Sequence, residues 1–149
     1  MSGVLCGECA KPSAHFDHEA FTVTYDGLSS EVTGLSGWRC ESCGDIVFDP
    51  DSAERYAAAG DALILQARDR QARELKRIRT RLGLTQHSAA ALTGGGHNAF
   101  SRYERGEVPP MPAVVNLFKL LDRHPDLLHE LQAARPARRK PARRPAASA

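Results

Sequence analysis

Beyond Cys43 the 149-residue chain has no cysteine, and its last fifteen residues contain no acid. The first absence confines any thiol staple or thiolate metal site to the front third; the second leaves the end of the chain purely basic. No apolar run approaches the roughly 20 residues that a membrane-spanning helix needs, and the first residues lack the basic-then-apolar layout of a secretory leader. A cytoplasmic protein with no membrane partner is therefore expected. No Walker-type lysine follows the glycine run, and no acid/base pair, nucleophile triad or cofactor loop is legible, so an enzyme is not expected.

What is present is polarised. The net charge of +2 conceals eight acids against two bases in residues 1–50, ten against twelve in residues 51–134, and six bases alone in residues 135–149. An acidic front and a basic end call for different partners.

All four cysteines stand in two pairs, Cys6-Gly-Glu-Cys9 and Cys40-Glu-Ser-Cys43, with thirty residues between them. Cytosolic thiols stay reduced, so paired knuckles point to a metal before disulfides. Two C-x-x-C turns bring four thiolates to one tetrahedral ion, the arrangement of a closed structural zinc site with no open position for water. The competing readings are a dithiol redox pair, which lacks a thioredoxin-like βαβ context here, and loose thiols without function. His15 and His18 could enter a mixed site, but four thiolates already saturate the ion, which makes them ordinary loop histidines. Glu8, Glu41 and Asp45 read as solvated acids. Between the knuckles, Phe21, Val23 and Tyr25 alternate with Thr22 and Thr24 before Asp26-Gly27, the pattern of a β-hairpin. "DIVF" after the second knuckle reads as another short strand.

The remainder reads as helices. Asp51 or Ser52 after Pro50 opens one, Gly60 interrupts it and marks a hinge, and Leu75, Ile78 and Leu82 then share one face while arginines crowd the others. Gly83 stops that helix. Thr85 caps a second over about Thr85–Leu92, and a third runs from about His97 to Arg105, ending at Gly106. Two short helices joined by "TGGG" form a helix-turn-helix, the glycines supplying a tight turn through positive φ. Phe100 and Tyr103 face the core near Leu84 and Leu92, while Asn98 and Arg102, four apart, share the other face at the start of the recognition helix. Asn pairs bidentately with adenine and Arg with guanine. His97, Ser101 and Gln86 are further candidates for phosphate or base contact, each equally readable as ordinary surface polarity. Val114, Leu117, Leu120 and Leu121 continue the core stripe, and Leu127, Leu128 and Leu131 offer a surface for a second copy.

"LTQ", a turn and "AFSRYERGE" resemble the helix-turn-helix of the Xre/Cro-like repressors. The wider pattern from Cys6 to about Leu131, two C-x-x-C pairs followed by "LTQ", "GGGHNAFSRYERGE" and "LLDRHPDLL", resembles the MqsA-type antitoxins with a YgiT-type zinc finger. That resemblance implies base contact by Asn98 and Arg102, dimerisation through the C-terminal domain, and a toxin partner for the front domain. The end, "RPARRKPARRPAASA", departs from the family's usual pattern.

The expected fold is α+β: a small zinc-clamped, β-rich domain (1–50), a helical connector (51–67), an all-α helix-turn-helix domain (68–134) and a disordered basic tail (135–149). The expected function is a DNA-binding antitoxin of a type II toxin-antitoxin system, with one structural zinc on Cys6, Cys9, Cys40 and Cys43. It would neutralise its toxin through the zinc domain and, as a homodimer on a palindromic operator in double-stranded DNA, repress its own operon. The alternative is a stand-alone zinc-containing Xre-type regulator without a toxin.

Overall fold

The computed structural model describes residues 4–134; the basic segment expected to be disordered, 135–149, lies outside the described residues. The order is β1 (Ser13–Tyr25), β2 (Leu28–Cys40), β3 (Ile46–Phe48), α1 (Pro50–Arg81), α2 (Gln86–Leu92), α3 (Ala99–Glu104), α4 (Pro112–Arg123) and α5 (Leu127–Ala133). An antiparallel sheet followed by helices is the α+β arrangement the sequence predicts. The chain divides into two compact units between Gln71 and Ala72. No helix among the described residues is long and apolar enough to cross a membrane.

In the first unit, β1 and β2 form a long hairpin and β3 adds to β2, giving the order β1-β2-β3. The turn is set by Asp26 and Gly27, both at positive φ (49° and 75°), as a two-residue type I′ hairpin demands. The register slips between Phe16 and Phe21, where His18 also takes a positive φ of 55°. His15 and His18, expected in a loop, thus lie within a bulged strand; the bulge breaks the two-residue alternation that would have revealed it. The buried residues here include Phe16, Leu35, Leu63 and Ala67. Around them Phe21 and Phe48 pack edge-on at 4.9 Å, Phe48 meets Tyr56 at 4.9 Å, and the Arg39 guanidinium lies 4.9 Å over Phe16 while donating to Glu19. Gly37 permits this closeness: a Cβ there would stand 2.5 Å from the Val47 carbonyl oxygen and 2.8 Å from the Phe48 Cα.

Helix α1 begins with Pro50, whose fixed φ suits a first helical position, and Asp51 follows in the first turn, where negative charge is favoured. The buried Ser52 Oγ accepts the Ser36 N–H at 2.9 Å, tying the helix start to β2. The helix runs unbroken through Gly60, so the expected interruption is not there. One glycine costs a helix only about 1 kcal/mol relative to alanine, and no proline or cap accompanies it.

In the second unit Leu75, Ile78, Leu84, Ala89, Ala90, Phe100, Val114 and Phe118 form one buried cluster, with Leu82, Leu92, Tyr103, Leu117 and Leu128 against it. Leu120, expected in the stripe, is 47% exposed. Three of its helices end alike. At α1, α2 and α3 a glycine at positive φ (Gly83, 68°; Gly94, 72°; Gly106, 70°) follows the cap. The next residue's N–H reaches back five residues: Leu84 to Arg79, Gly95 to Ala90, Glu107 to Arg102. This is the Schellman motif, which satisfies carbonyls the helix would orphan. In the glycine triplet, then, Gly94 alone needs positive φ; Gly95 is held small by Ala99, whose Cβ would lie 3.2 Å from an added Cβ, and Gly96 faces open space.

One polar knot joins α1, α2 and α3. Glu104, its side chain 4% exposed, accepts from Arg79 Nε at 2.5 Å and Nη2 at 3.1 Å, and from Gln86 Nε2 at 2.8 Å. Arg79 Nη1 also donates to the Leu84 carbonyl at 2.7 Å. Desolvation pushes the Glu104 carboxyl up, but Arg79 and Gln86 outweigh it and hold it below its ordinary 4.5.

Two stability predictions result. Gly37→Ala is expected to cost about 1–3 kcal/mol through overpacking against backbone that cannot yield, read as a lowered denaturation midpoint. Glu104→Ala, which leaves Arg79 nearly buried without its carboxylate, is expected to cost about 3–5 kcal/mol. Because the folded Glu104 is more acidic than the unfolded one, its contribution is full above about pH 4.5 and is lost as pH falls through the folded value. Wild-type stability should therefore fall more steeply in acid than that of Glu104→Gln; parallel pH profiles would refute the assignment.

Candidate metal centre and helix-turn-helix surface

The two knuckles are brought together by the hairpin. Cys6 and Cys9 lie in the turn before β1; Cys40 ends β2 and Cys43 lies in the turn before β3. Pairing of Ser13 with Cys40 sets the turns side by side. The Cys40 N–H donates to the Asp45 carbonyl at 2.8 Å and the Glu41 N–H reaches the Pro12 carbonyl at 3.4 Å. The four sulfurs lie within 4.8 Å of one another, with 3.7 Å between Cys6 and Cys43, 3.4 Å between Cys9 and Cys40, and 3.6 Å between Cys9 and Cys43. An ion at about 2.3 Å from each of four tetrahedral sulfurs spaces them at roughly 3.8 Å, so the four residues are positioned to hold one metal ion.

Their electrostatics suit a cation. The backbone N–H groups of Cys43 and Ser42 stabilise the Cys40 thiolate and lower its pKa to about 6, the Ser42 N–H lying 3.4 Å from the sulfur. For Cys9 the Lys11 backbone N–H favours the thiolate. The hydrogen bond with Cys40, desolvation and the nearby Cys43 and Cys6 sulfurs outweigh it and push the thiol up to about 12. Four thiols this close cannot all ionise unless a cation supplies the compensating charge. Asp45, expected to be merely solvated, places Oδ2 3.8 Å from Cys6 Sγ. His15 belongs to a separate contact: its Nε2 meets Asp49 Oδ2 at 3.0 Å and its Nδ1 lies 3.5 Å from Asp17, with its ring edge-on to Trp38 at 4.9 Å.

In the second unit, Thr85 caps α2, its Oγ1 accepting the Ser88 N–H at 3.0 Å. Helix α3 is shorter than its expected span, so His97 and Asn98 fall in the turn before it, closed by the Ala99 N–H on the Gly96 carbonyl at 2.9 Å. Asn98 occupies the cap position but makes no side-chain capping bond. His97, Asn98 and Arg102 are exposed while Phe100 is wholly buried and Tyr103 packs against the core, which is the division of faces expected from the sequence. Ser101 is half-buried and accepts from Arg105 Nη1. Gln86 gives its amide to Glu104, which places it in the knot that holds the helices.

Arg102 has a neighbour the sequence reading missed. Glu107 lies 3.6 Å from Arg102 Nε and accepts from Arg105 Nε at 2.6 Å. The signal was available: Glu107 follows the capping Gly106, and a Schellman end turns that residue back toward the one five positions earlier, Arg102. Of the arginines crowding α1, Arg70 binds Asp26, Arg79 binds Glu104, and Arg77 and Arg81 share Asp122 of α4, so these four serve ion pairs within their own units.

Comparison with known proteins bears on the whole described region. The family described as the antitoxin component of bacterial toxin-antitoxin system, MqsA, matches residues 4–132. Antitoxin MqsA of Escherichia coli (strain K12) is 32% identical over 111 residues, covering 73% of this chain and 85% of that protein. With its four-cysteine cluster, its α2–turn–α3 surface and a match over nearly all the described residues, the chain belongs to the MqsA family of antitoxins.

Proposed function

We propose that the chain is a DNA-binding antitoxin. Its first unit, closed by one structural zinc, neutralises a toxin, and its second, as a homodimer, reads a palindromic operator and represses the chain's own operon from within the cytoplasm. Family membership supports the antitoxin role, and the excess of six acids over bases in residues 1–50 suits a basic toxin surface. The observation that carries the DNA reading is the split of α3 and its leading turn: aromatic residues inward, His97, Asn98 and Arg102 outward. Arg102 has the fork that guanine accepts and Asn98 the amide that adenine pairs. Leu127 and Leu131, half-buried in one chain, are offered to the second subunit, while Leu128, expected beside them, packs on its own core; two copies are what a palindrome requires. The donor set supports zinc, since four thiolates with no open position are typical of its structural sites.

Elemental analysis should find one zinc per chain, lost in Cys40→Ala. Zinc retention should also fall as the pH is lowered, because each thiolate must take up a proton to let go; a metal-free protein with full stability would sink the zinc assignment. From the chain's own cells, tagged wild type should capture a small basic protein that Cys40→Ala does not. Arg102→Ala should weaken binding to the promoter duplex upstream of the coding sequence by about 1–3 kcal/mol, measured by fluorescence anisotropy at fixed salt. Equal affinity would remove Arg102 from the reading surface.

A further inference from the structure

The carboxylate of Glu107 stands in a place where a DNA-binding surface gains nothing in raw affinity. Its backbone is fixed: the Glu107 N–H donates to the Arg102 carbonyl at 3.0 Å, and Gly106 takes the positive φ of 70° that this return requires. Its side chain is then held between two cations, accepting from Arg105 Nε at 2.6 Å and lying 3.6 Å from Arg102 Nε. Arg105 is braced further by donating to Ser101 Oγ. Arg102, Arg105 and Glu107 are 53%, 56% and 46% exposed, so this cluster is open to an incoming ligand. The contrast with Glu104, sealed against Arg79 at 4% exposure, is the useful one: one acid is committed to the fold, the other to the surface.

We infer, resting on the DNA-reading role proposed above, that Glu107 is a specificity-determining residue that withholds Arg102 and Arg105 from phosphate while leaving Arg102 able to read a base. Phosphates are presented by every DNA sequence, and they supply essentially all of non-specific binding. A carboxylate pinned beside two arginines repels a phosphate and competes with it for the same N–H groups. A guanine edge is different, being uncharged and offering O6 and N7 to a guanidinium fork. The closest approach of Glu107 to Arg102 is to Nε, at 3.6 Å, and Arg102 is half exposed, so a base edge can engage the terminal Nη1 and Nη2 groups without displacing that contact. Base reading can therefore keep the Glu107 contact, whereas phosphate binding must oppose it. The device lowers affinity for the wrong DNA more than for the right one, which is how specificity is gained by repulsion.

The test compares full-length wild type, Glu107→Gln, Asp126→Asn and Arg102→Ala on two duplexes, the promoter DNA upstream of the coding sequence and a scrambled duplex of the same composition, across a salt series. Asp126 is an exposed acid of the same unit and reports the effect of removing a charge anywhere. Glu107→Gln is expected to tighten the scrambled duplex about fivefold, the upper end of what an exposed Arg–Glu pair restrains. It should steepen the slope of log affinity against log salt by about 0.9 for each cation released to phosphate, and tighten the promoter duplex by less than about twofold. The ratio of specific to non-specific affinity then falls. Equal tightening on both duplexes, no change on either, or an Asp126→Asn effect as large as that of Glu107→Gln would overturn the inference. Arg102→Ala and wild type separate the two layers. If Arg102→Ala weakens promoter binding while Glu107→Gln does nothing, only the role of Glu107 fails; if Arg102→Ala changes nothing, Arg102 leaves the reading surface and the inference falls with it; a wild type with no preference for the promoter duplex sinks the DNA reading itself.

Discussion

The carboxylate of Glu104 is the constraint on which the geometry of the second unit depends. It is nearly buried, and a buried charge is tolerated only with good partners; Arg79 from α1 and Gln86 from α2 provide them, and Glu104 itself ends α3. Three helices therefore have one low-energy arrangement at this point. Arg79 extends the tie by donating to the Leu84 carbonyl, just where the chain leaves α1. A hydrophobic cluster of leucines, alanines and phenylalanines fixes how much area is buried but is forgiving about angle. The directional bonds to Glu104 remove that latitude, and with it the freedom of the turn carrying His97 and Asn98.

The repeated Schellman ends are the complementary device. Helices α2 and α3 have only seven and six residues, too short to persist by their own propensity, and each end leaves carbonyls without partners. Gly83, Gly94 and Gly106 let the chain fold back and satisfy them within two residues. The consequence differs at each site because the residue that follows differs. After Gly83 it is Leu84, a core residue; after Gly94 it is Gly95, which leaves room for Ala99; after Gly106 it is Glu107, whose side chain turns to solvent beside Arg102. One backbone solution thus delivers a core anchor, a close helix approach and a surface charge.

What could be read from the sequence was whatever is local. The hairpin turn at Asp26-Gly27, the Thr85 cap, the helix stops at Gly83 and Gly106 and the inward Phe100 and Tyr103 all follow from neighbours a few residues away, and each is found. The sulfur cluster was legible for a related reason: its residue types have few other uses at that spacing. The rest depends on partners far along the chain. Gly60 reads as a break because propensity counts only the helix and not the surface on which it packs. His15 reads as a loop residue because the bulge after Phe16 erases the alternation. The bond from Gln86 to Glu104 could not be read locally, because the two lie eighteen residues apart and are joined only by the fold. In each case the deciding partner lies beyond the few neighbouring residues that a local reading weighs.

The two units also solve the problem of small size differently. The second has a continuous core from Leu75 to Phe118 that can stand on burial and the Glu104 tie. Among the buried hydrophobic residues of the first, Cys6 and Cys40 stand beside Phe16, Leu35, Leu63 and Ala67, so thiols occupy positions a larger domain would fill with leucine. Burial alone is a thin source of stability at this scale, and a bound cation adds its free energy to folding directly. The sulfurs sit at the end of the hairpin away from the Asp26-Gly27 turn, where they close the two strands at the end the turn leaves open. A metal ion held by these four cysteines would tie the first unit's stability to metal supply and proton concentration, while the second rests on a carboxylate held below its ordinary pKa.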